Sequence, residues 1–436
     1  MKKINGLRSI ATTSCFAILF ITNSFAQDEA KGVKYRRSSL HTILVESDKF
    51  PKKDVVINAY STAPFPDKYN DHSVGARSFN PADAKYALTE AEITEINKEQ
   101  SKAAALAEAS LDPALLEMKY MPHVVNKYLK DAKLGNQLVA KWFSRDANGA
   151  FNMDLIKDRG CFDASVADIA VANASARGTS ALDGAGKELI PNTFVVINRM
   201  NFVDNEIAAT VVLTAALVAA GKAKSPTLQT AAKKSAQAAY EKSKDGYTVW
   251  VTSYLYKLDW SDSLLYVFYK DLWTDGSDAA KVSAFDASNA FSLGFVGKER
   301  ASGLVLPDLT GKRSEDETIQ LATVRAVDAV YAKLQKKYEV FRTKTPLYSG
   351  NPIIAQIGLK EGLEKGAKFE VLEATMDPET GVIEYKSKGK ISAQDPIWDN
   401  NYGANEDAPE GAEDVKGTTF KGGKKFYSGM LIRQLK

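Results

Sequence analysis

The alternation of apolar and polar positions predicts a chain whose middle part mixes strands with helices. Strands are expected at 40–45, at 193–198, which is compactly apolar, and at 248–258, which is rich in β-branched and aromatic residues. Asp259–Asp262 is typical of a turn, so the aromatic segment 263–273 is expected to return as the hairpin partner of the strand before it. These segments predict a central sheet.

Helical spacing of apolar residues surrounds these strands. The predicted helices lie at 88–118 with a break near Pro113, 122–134, 137–143, 165–189 and 317–338. The last of them carries apolar side chains on one face, as a helix that packs on a sheet does. We therefore predict an α/β or α+β fold in which helices pack on a central sheet.

The character of the chain changes near 343–350. Beyond this point short β-like segments at 352–357, 367–373 and 382–390 alternate with glycine-containing turns, and GMLIRQL ends the chain as a final strand. Short strands at this spacing are typical of a small barrel. The pattern predicts a small C-terminal SH3-like β-barrel over 350–436.

The first residues are typical of a cleavable secretory signal peptide. Lys2, Lys3 and Arg8 precede a mostly apolar run at 10–21, and Ser24-Phe25-Ala26 places small residues at a signal-peptidase site. The run is shorter than the ~20 apolar residues that span a membrane. We expect cleavage after residue 26 and export to the periplasm, with outer-membrane association as an option.

The predicted organisation therefore has four parts. They are a signal peptide at 1–26, a partly helical and partly disordered extension at 27–120, a central domain at 121–342 and the barrel at 350–436.

Charge and cysteine content exclude several classes. The chain has 57 basic and 54 acidic residues, and removal of the signal peptide leaves 54 of each, so no basic field attracts nucleic acid as a partner. Only Cys161 remains after cleavage, so no intramolecular disulfide is expected, and a buried thiol is favoured over a reactive one. Whether Cys161 is accessible stays open.

A segment at 204–246 interrupts the predicted sheet. It begins with small and aliphatic residues from Ile207 to Gly221 and continues as an Ala/Lys-rich helix at 227–244. The apolar run is too short to span a membrane, and its small residues permit close contact between helices. We interpret the insertion as a helical hairpin that packs or oligomerises, with membrane association as the alternative. The residues that mark it are Val211, Val212, Leu213 and Leu217.

Catalytic chemistry has little support in the sequence. His41, His72 and His123 are far apart and have no metal-binding spacing, which disfavours both zinc and a Ser-His-Asp triad. Asp259 and Asp262 are explained by turn chemistry. We predict no catalytic, cofactor-binding or metal-ligating residue, and we expect that the protein is not an enzyme.

Aromatic residues are concentrated between 250 and 273. Such residues can form a sugar-binding platform, but paired strands also bring aromatic side chains together in a core, and packing is the favoured explanation. The candidates for an interaction surface are Trp250, Tyr254, Tyr256 and Trp260.

Three segments carry a family resemblance. The helix SARGTSALDGAGKELI followed by NTFVVIN, the pair TVWVTSYLYKLDW and LLYVFYKDLW, and the helix at 317–338 are similar to secreted proteins of Bacteroidetes-type bacteria. Their core resembles the curli-secretion and penicillin-binding-protein-activator group of envelope proteins. The segment IIAQIGLKEGLEKGAKFEVLE resembles the short barrel of flagellar and envelope accessory proteins. The resemblance covers about 120–390 and consists of packing motifs.

The resemblance implies an envelope protein, and it leaves three functions open. We expect an exported, non-catalytic envelope accessory or assembly protein that binds other envelope proteins. In pore-forming members of the resembled group, insertions into the core reach the membrane, so an oligomeric secretion or channel component is the first alternative. An exported enzyme acting on glycans is the second.

Overall fold

The computed structural model describes residues 35–98, 113–162, 186–305, 314–377, 383–400 and 417–435. In these ranges the chain combines helices with a six-stranded mixed sheet and a closed six-stranded barrel, which confirms the predicted fold class. Three segments lie wholly or mostly outside the described residues: the predicted signal peptide, the predicted helix 165–189 and the acidic segment 398–416. The side chain of Cys161 also lies outside them.

The central sheet has the strand order β2-β1-β4-β5-β6, and β3 pairs with the far end of β1. Its strands are β1 (Ser39–Val45), β2 (Asn70–Asp71), β3 (Ser78–Phe79), β4 (Thr193–Asp204), β5 (Tyr247–Leu258) and β6 (Leu293–Val305). The pairs that β1 forms are parallel, whereas β5 runs antiparallel to both of its neighbours, β4 and β6. The two long strands β4 and β5 therefore form the centre of the sheet.

Helices cover both faces of this sheet. They are α1 (Lys53–Thr62), α2 (Glu90–Lys98), α3 (Pro113–Asp131), α4 (Leu134–Trp142), α5 (Asp154–Phe162), α6 (Gly186–Leu189), α7 (Asn205–Gly221), α8 (Pro226–Ser243), α9 (Asp262–Val267), α10 (Ala279–Ala287) and α11 (Glu315–Lys337). A capping box, in which Ser314 and Glu317 satisfy each other's backbone N–H groups, fixes the start of α11.

Strand alternation divides the central domain into two main cores. Phe194 and Val196 of β4 face the core beneath α1 and α11, whereas Val195 and Ile197 face the core beneath α3 and α4. A strand that is buried on both faces must be apolar throughout, which is why TFVVIN is a continuous apolar run. The result is a three-layer arrangement of helices, sheet and helices.

The predicted strand at 263–273 is wrong. The segment forms α9 and then one turn of π-helix at Phe268–Leu272, and Ser261 caps it by accepting a hydrogen bond from the N–H of Leu264 at 3.3 Å. Leu264, Phe268 and Leu272 recur every four residues and pack into a third, aromatic core. The strand that pairs with β5 on this side is β6.

The C-terminal part is a closed antiparallel barrel with the strand order β10-β11-β8-β7-β12-β9. Its strands are β7 (Thr345–Gly350), β8 (Ile353–Ala355), β9 (Lys368–Met376), β10 (Ile383–Ala393), β11 (Thr418–Gly422) and β12 (Leu431–Gln434). Closure leaves the barrel without free edges and gives it a separate apolar core. A single helical turn at Leu359–Glu361 packs on α11 and joins the barrel to the central domain.

Candidate functional site

A helical arm emerges where β4 ends and β5 begins. The two strands pair up to Asp204 and Tyr247, and the chain between them forms α7 and α8. Asp204 caps α7 by accepting a hydrogen bond from the N–H of Glu206, and Ser225 caps α8 immediately before Pro226. The predicted insertion is therefore a helical hairpin, and we call α7 and α8 together the arm.

The base of the arm is held by one buried amide. Asn205 donates to the backbone carbonyl of Asp245 at 3.1 Å and accepts from the hydroxyl of Thr248 at 2.8 Å. The hydroxyl of Tyr240 donates to the carboxylate of Glu206 at 3.1 Å, which ties the end of α8 to the start of α7. These bonds fix the direction in which the arm leaves the sheet.

Beyond its base the arm packs mainly on itself. The two helices contact each other extensively, and α7 also contacts β4. Ala209 and Ala220 of α7 are buried, and the predicted residues Leu213 and Leu217 are half-buried. The small side chains of Ala209 and Ala220 let the two helices approach closely.

The solvent-facing side of α7 is apolar. Val211, Val212 and Val218 expose 67%, 65% and 59% of their surface, and Leu228 at the start of α8 exposes 58%. The sequence carries no charged residue between Glu206 and Lys222. Val211, Ala215 and Val218 stand at spacings of four and three residues, so they form one stripe. Its exposed apolar side chains make the arm a candidate interaction site.

The arm is also basic. Residues 205–244 contain six lysines and two glutamates, which is a formal charge of +4, whereas the mature chain as a whole has a formal net charge of zero. Lys244 pairs with Glu241 at 2.7 Å. Lys233 and Lys234 are exposed on α8.

The predicted aromatic surface does not form. Tyr254 and Tyr256 are buried in the core beneath α3 and α4, so the prediction that they belong to an interaction surface is wrong. Trp260 packs against the third core, on Phe143 and Phe291. Trp250 is 36% exposed and lies under the guanidinium of Arg300, whose central carbon is 4.3 Å from the ring. Packing, the favoured explanation of these aromatic residues, accounts for three of the four.

Two of the histidines are structural. The side chain of His72 accepts a hydrogen bond from Arg159 on Nδ1 at 2.8 Å and donates from Nε2 to the carbonyl of Leu138 at 2.9 Å, while its ring stacks on Trp142. Burial and the nearby Arg159 charge hold the pKa of His72 well below its usual value. Burial lowers the pKa of His41 to about 4. Both rings are therefore neutral at pH 7.

The side chains that could bind a metal ion or act as acids and bases do not form a common site among the described residues. Among the residues that the structure describes, no group of three His, Cys, Asp or Glu side chains is arranged to hold a metal ion. Asp146 accepts hydrogen bonds from the N–H groups of Asn148 and Ala150, as turn chemistry predicts. Asp259 accepts from the hydroxyl of Ser292 at 2.6 Å.

One buried polar network crosses the first core and escaped sequence analysis. Asn198 donates to the hydroxyls of Tyr60 and Tyr331 at 2.7 and 3.2 Å and accepts from Ser253. Burial raises the pKa of both tyrosines. The four residues come from two strands and two helices, so only the tertiary fold brings them together.

Sequence analysis also missed Val218 and Leu228, although the spacing of Val218 from Val211 was a usable signal.

No protein-family model matches this chain, and a search of curated proteins finds no significant match. In the described parts of the chain, no helix is both long enough and apolar enough to cross a bilayer.

Proposed function

We propose that this protein is an exported, non-catalytic envelope accessory or assembly protein that binds a partner protein through its arm. The observation that carries the proposal is the apolar stripe of α7, in which Val211 and Val218 leave more than half of their surface exposed. The N-terminal signal pattern supports the periplasm or the outer membrane as the place where it acts.

The first helix of the arm is long enough to bind along a groove or helix of a partner protein. Its 17-residue first helix is about 25 Å long, and an apolar face of this length fits the groove or helix of a partner. Burial of apolar surface contributes about 25 cal/mol per Å² to association, before the loss of translational and rotational freedom is subtracted. The formal charge of +4 favours a partner whose apolar contact is flanked by acidic side chains, and it disfavours direct pairing of two arms.

A membrane-associated oligomer is the second candidate. It is favoured by the combination of an apolar face with six lysines, because basic amphipathic helices bind anionic lipid surfaces. In this case the arm would lie in the interface instead of spanning the bilayer.

The test uses the mature chain, residues 27–436. We would measure the mass of the purified chain by size-exclusion chromatography with light scattering, with and without mild detergent. In a separate experiment in cells, we would place a photo-crosslinking residue at Val212. We expect a monomer or dimer without detergent, and one discrete crosslinked protein. Val211→Glu with Val218→Glu should abolish the crosslink, because a charge enters the apolar stripe.

The matched control is Val267→Glu, an exposed valine on α9, outside the arm. It should leave the crosslink unchanged. A large oligomer that requires detergent would favour the membrane candidate, and a crosslink only to lipid or to a second copy would refute the proposed partner protein.

A further inference from the structure

A cavity of about 190 Å³ lies where the central domain meets the barrel. Its walls come from the segment before β1, the linker after α11 and the last barrel strand. Four cationic side chains line it, Arg37, Arg342, Lys344 and Arg433, together with Glu339. Pockets at domain junctions are preferred sites for small ligands.

The guanidinium of Arg342 is held by neutral acceptors. It donates to the backbone carbonyls of Gln335 and Lys336, both at 3.2 Å, and to that of Gln434 at 2.9 Å. These carbonyls fix its orientation at the end of α11 and on β12 without supplying a full negative charge. Arg342 therefore presents a positive charge in a fixed position.

Two other cations of the cavity have carboxylate partners. Arg433 contacts Glu370 at 2.8 Å, and Lys344 lies 3.7 Å from Glu188. Glu188 also accepts a hydrogen bond from the hydroxyl of Tyr385 at 2.8 Å, and the Nζ of Lys344 is 3.8 Å from the centre of the Tyr385 ring. One carboxylate thus serves both the lysine and the tyrosine.

The charged side chains that line the cavity are mostly cationic. Four cations and one carboxylate, that of Glu339, line it, and among the described residues the carboxylates of Glu188 and Glu370 lie behind it. Burial lowers the pKa of Lys344; the Glu188 carboxylate opposes this shift, and the Arg433 charge adds to it. Arg37 is only 5% exposed. Cations gathered in a partly dry site are stabilised by an anion.

We propose that this cavity binds a small oxyanion, either phosphate or carboxylate in chemistry, between the two domains. Arginine forks match the paired oxygens of both groups. The volume corresponds to about six water molecules, which fits a free ion or a small phosphate monoester. Because walls from both domains would contact the anion, binding should strengthen the junction between them.

The test combines thermal unfolding of the mature chain in sodium phosphate with calorimetric titration of the same salt. Sodium chloride at the same ionic strength is the control. We expect a saturable rise in Tm, because a ligand that binds only the folded state stabilises it. Parallel titrations with acetate and with glycerol phosphate separate carboxylate from phosphate and a free ion from an ester.

Lys344→Gln should weaken phosphate binding at least tenfold, whereas Lys421→Gln, which removes an exposed charge from β11, should leave it unchanged. Thr343→Glu places a carboxylate in the cavity, so this variant should no longer respond to phosphate; it decides the question if Lys344→Gln does not fold. The proposal would be overturned if phosphate and chloride changed the Tm equally. It would also be overturned if Lys344→Gln and Thr343→Glu responded to phosphate as strongly as the wild type.

Discussion

At the scale of single residues, the buried polar groups set the electrostatics of the central domain. His41 and His72 lie on the side of the sheet that α3 and α4 cover, and Arg77, Lys141 and Arg159 lie near them. Desolvation disfavours the charged form of a buried imidazole, and neighbouring cations add to the effect. Both imidazoles are therefore neutral in the folded protein at pH 7.

His41 should make the protein less stable in acid. Its folded-state pKa, about 4, lies below the unfolded value near 6.5, so its contribution is complete above pH 6.5 and is lost as the pH falls toward 4. The shift corresponds to about 3 kcal/mol at most. Urea unfolding of the wild type and of His41→Asn between pH 4 and 7 should give curves whose difference narrows in acid. Parallel curves would contradict the assignment.

A close backbone contact should make Gly135 intolerant of substitution. A Cβ at Gly135 in α4 would lie 2.1 Å from the carbonyl oxygen of Phe291, so Gly135→Ala should lower the free energy of unfolding by about 1–3 kcal/mol. The control is Gly221→Ala at the end of α7, where no atom lies within 4 Å and alanine should stabilise by about 0.5–1 kcal/mol. Chemical denaturation measures both, and equal effects would refute the steric argument.

At the scale of elements, local pattern determined most helices and strands, and it failed where two patterns overlap. The segment 263–273 is rich in aromatic residues, which favours a strand, yet the residues that pack into the third core, Leu264, Phe268 and Leu272, repeat every four residues. The cap at Ser261 was a local signal for the helix. Strand β6 was missed because glycines and charged residues interrupt its apolar positions.

The arm should be dispensable for folding. Replacing residues 207–243 with a short Gly/Ser linker keeps Asn205 and its hydrogen bonds, and the arm packs mainly on itself. We therefore expect the Tm to change by no more than about 4 °C, the shift that roughly 1 kcal/mol produces. The same variant should lose the crosslinked partner. A collapse of cooperative unfolding in calorimetry would mean that the arm is part of the core.

At the scale of the whole molecule, charged side chains join the barrel to the central domain. Glu361 contacts Lys68 at 3.4 Å and accepts hydrogen bonds from Asn400 and from the N–H of Gly358. These partners keep the pKa of Glu361 low although the residue is buried. Asp328 of α11 lies beside this cluster, 3.9 Å from Lys360.

Ionised Asp328 should weaken the molecule at neutral pH. Burial raises its pKa to about 6, above the unfolded value near 4, so the folded state loses stability as the pH rises from 4 through 6. Asp328→Asn should therefore be more stable than the wild type at pH 7, by up to about 3 kcal/mol, with the gain vanishing near pH 4. Urea unfolding at both pH values tests this, and a gain independent of pH would refute it.

The sequence by itself determined the elements with strong local periodicity: the apolar strand at 193–198, the amphipathic helix α11 and the helical insertion. Periodicity and capping act over a few neighbouring residues, so they can be read along the chain. Only the tertiary structure decided that Tyr254 and Tyr256 are buried while Val211 is exposed. It also brought Arg37, Arg342 and Arg433 around one cavity, because burial and charge clustering depend on contacts between residues far apart in the sequence.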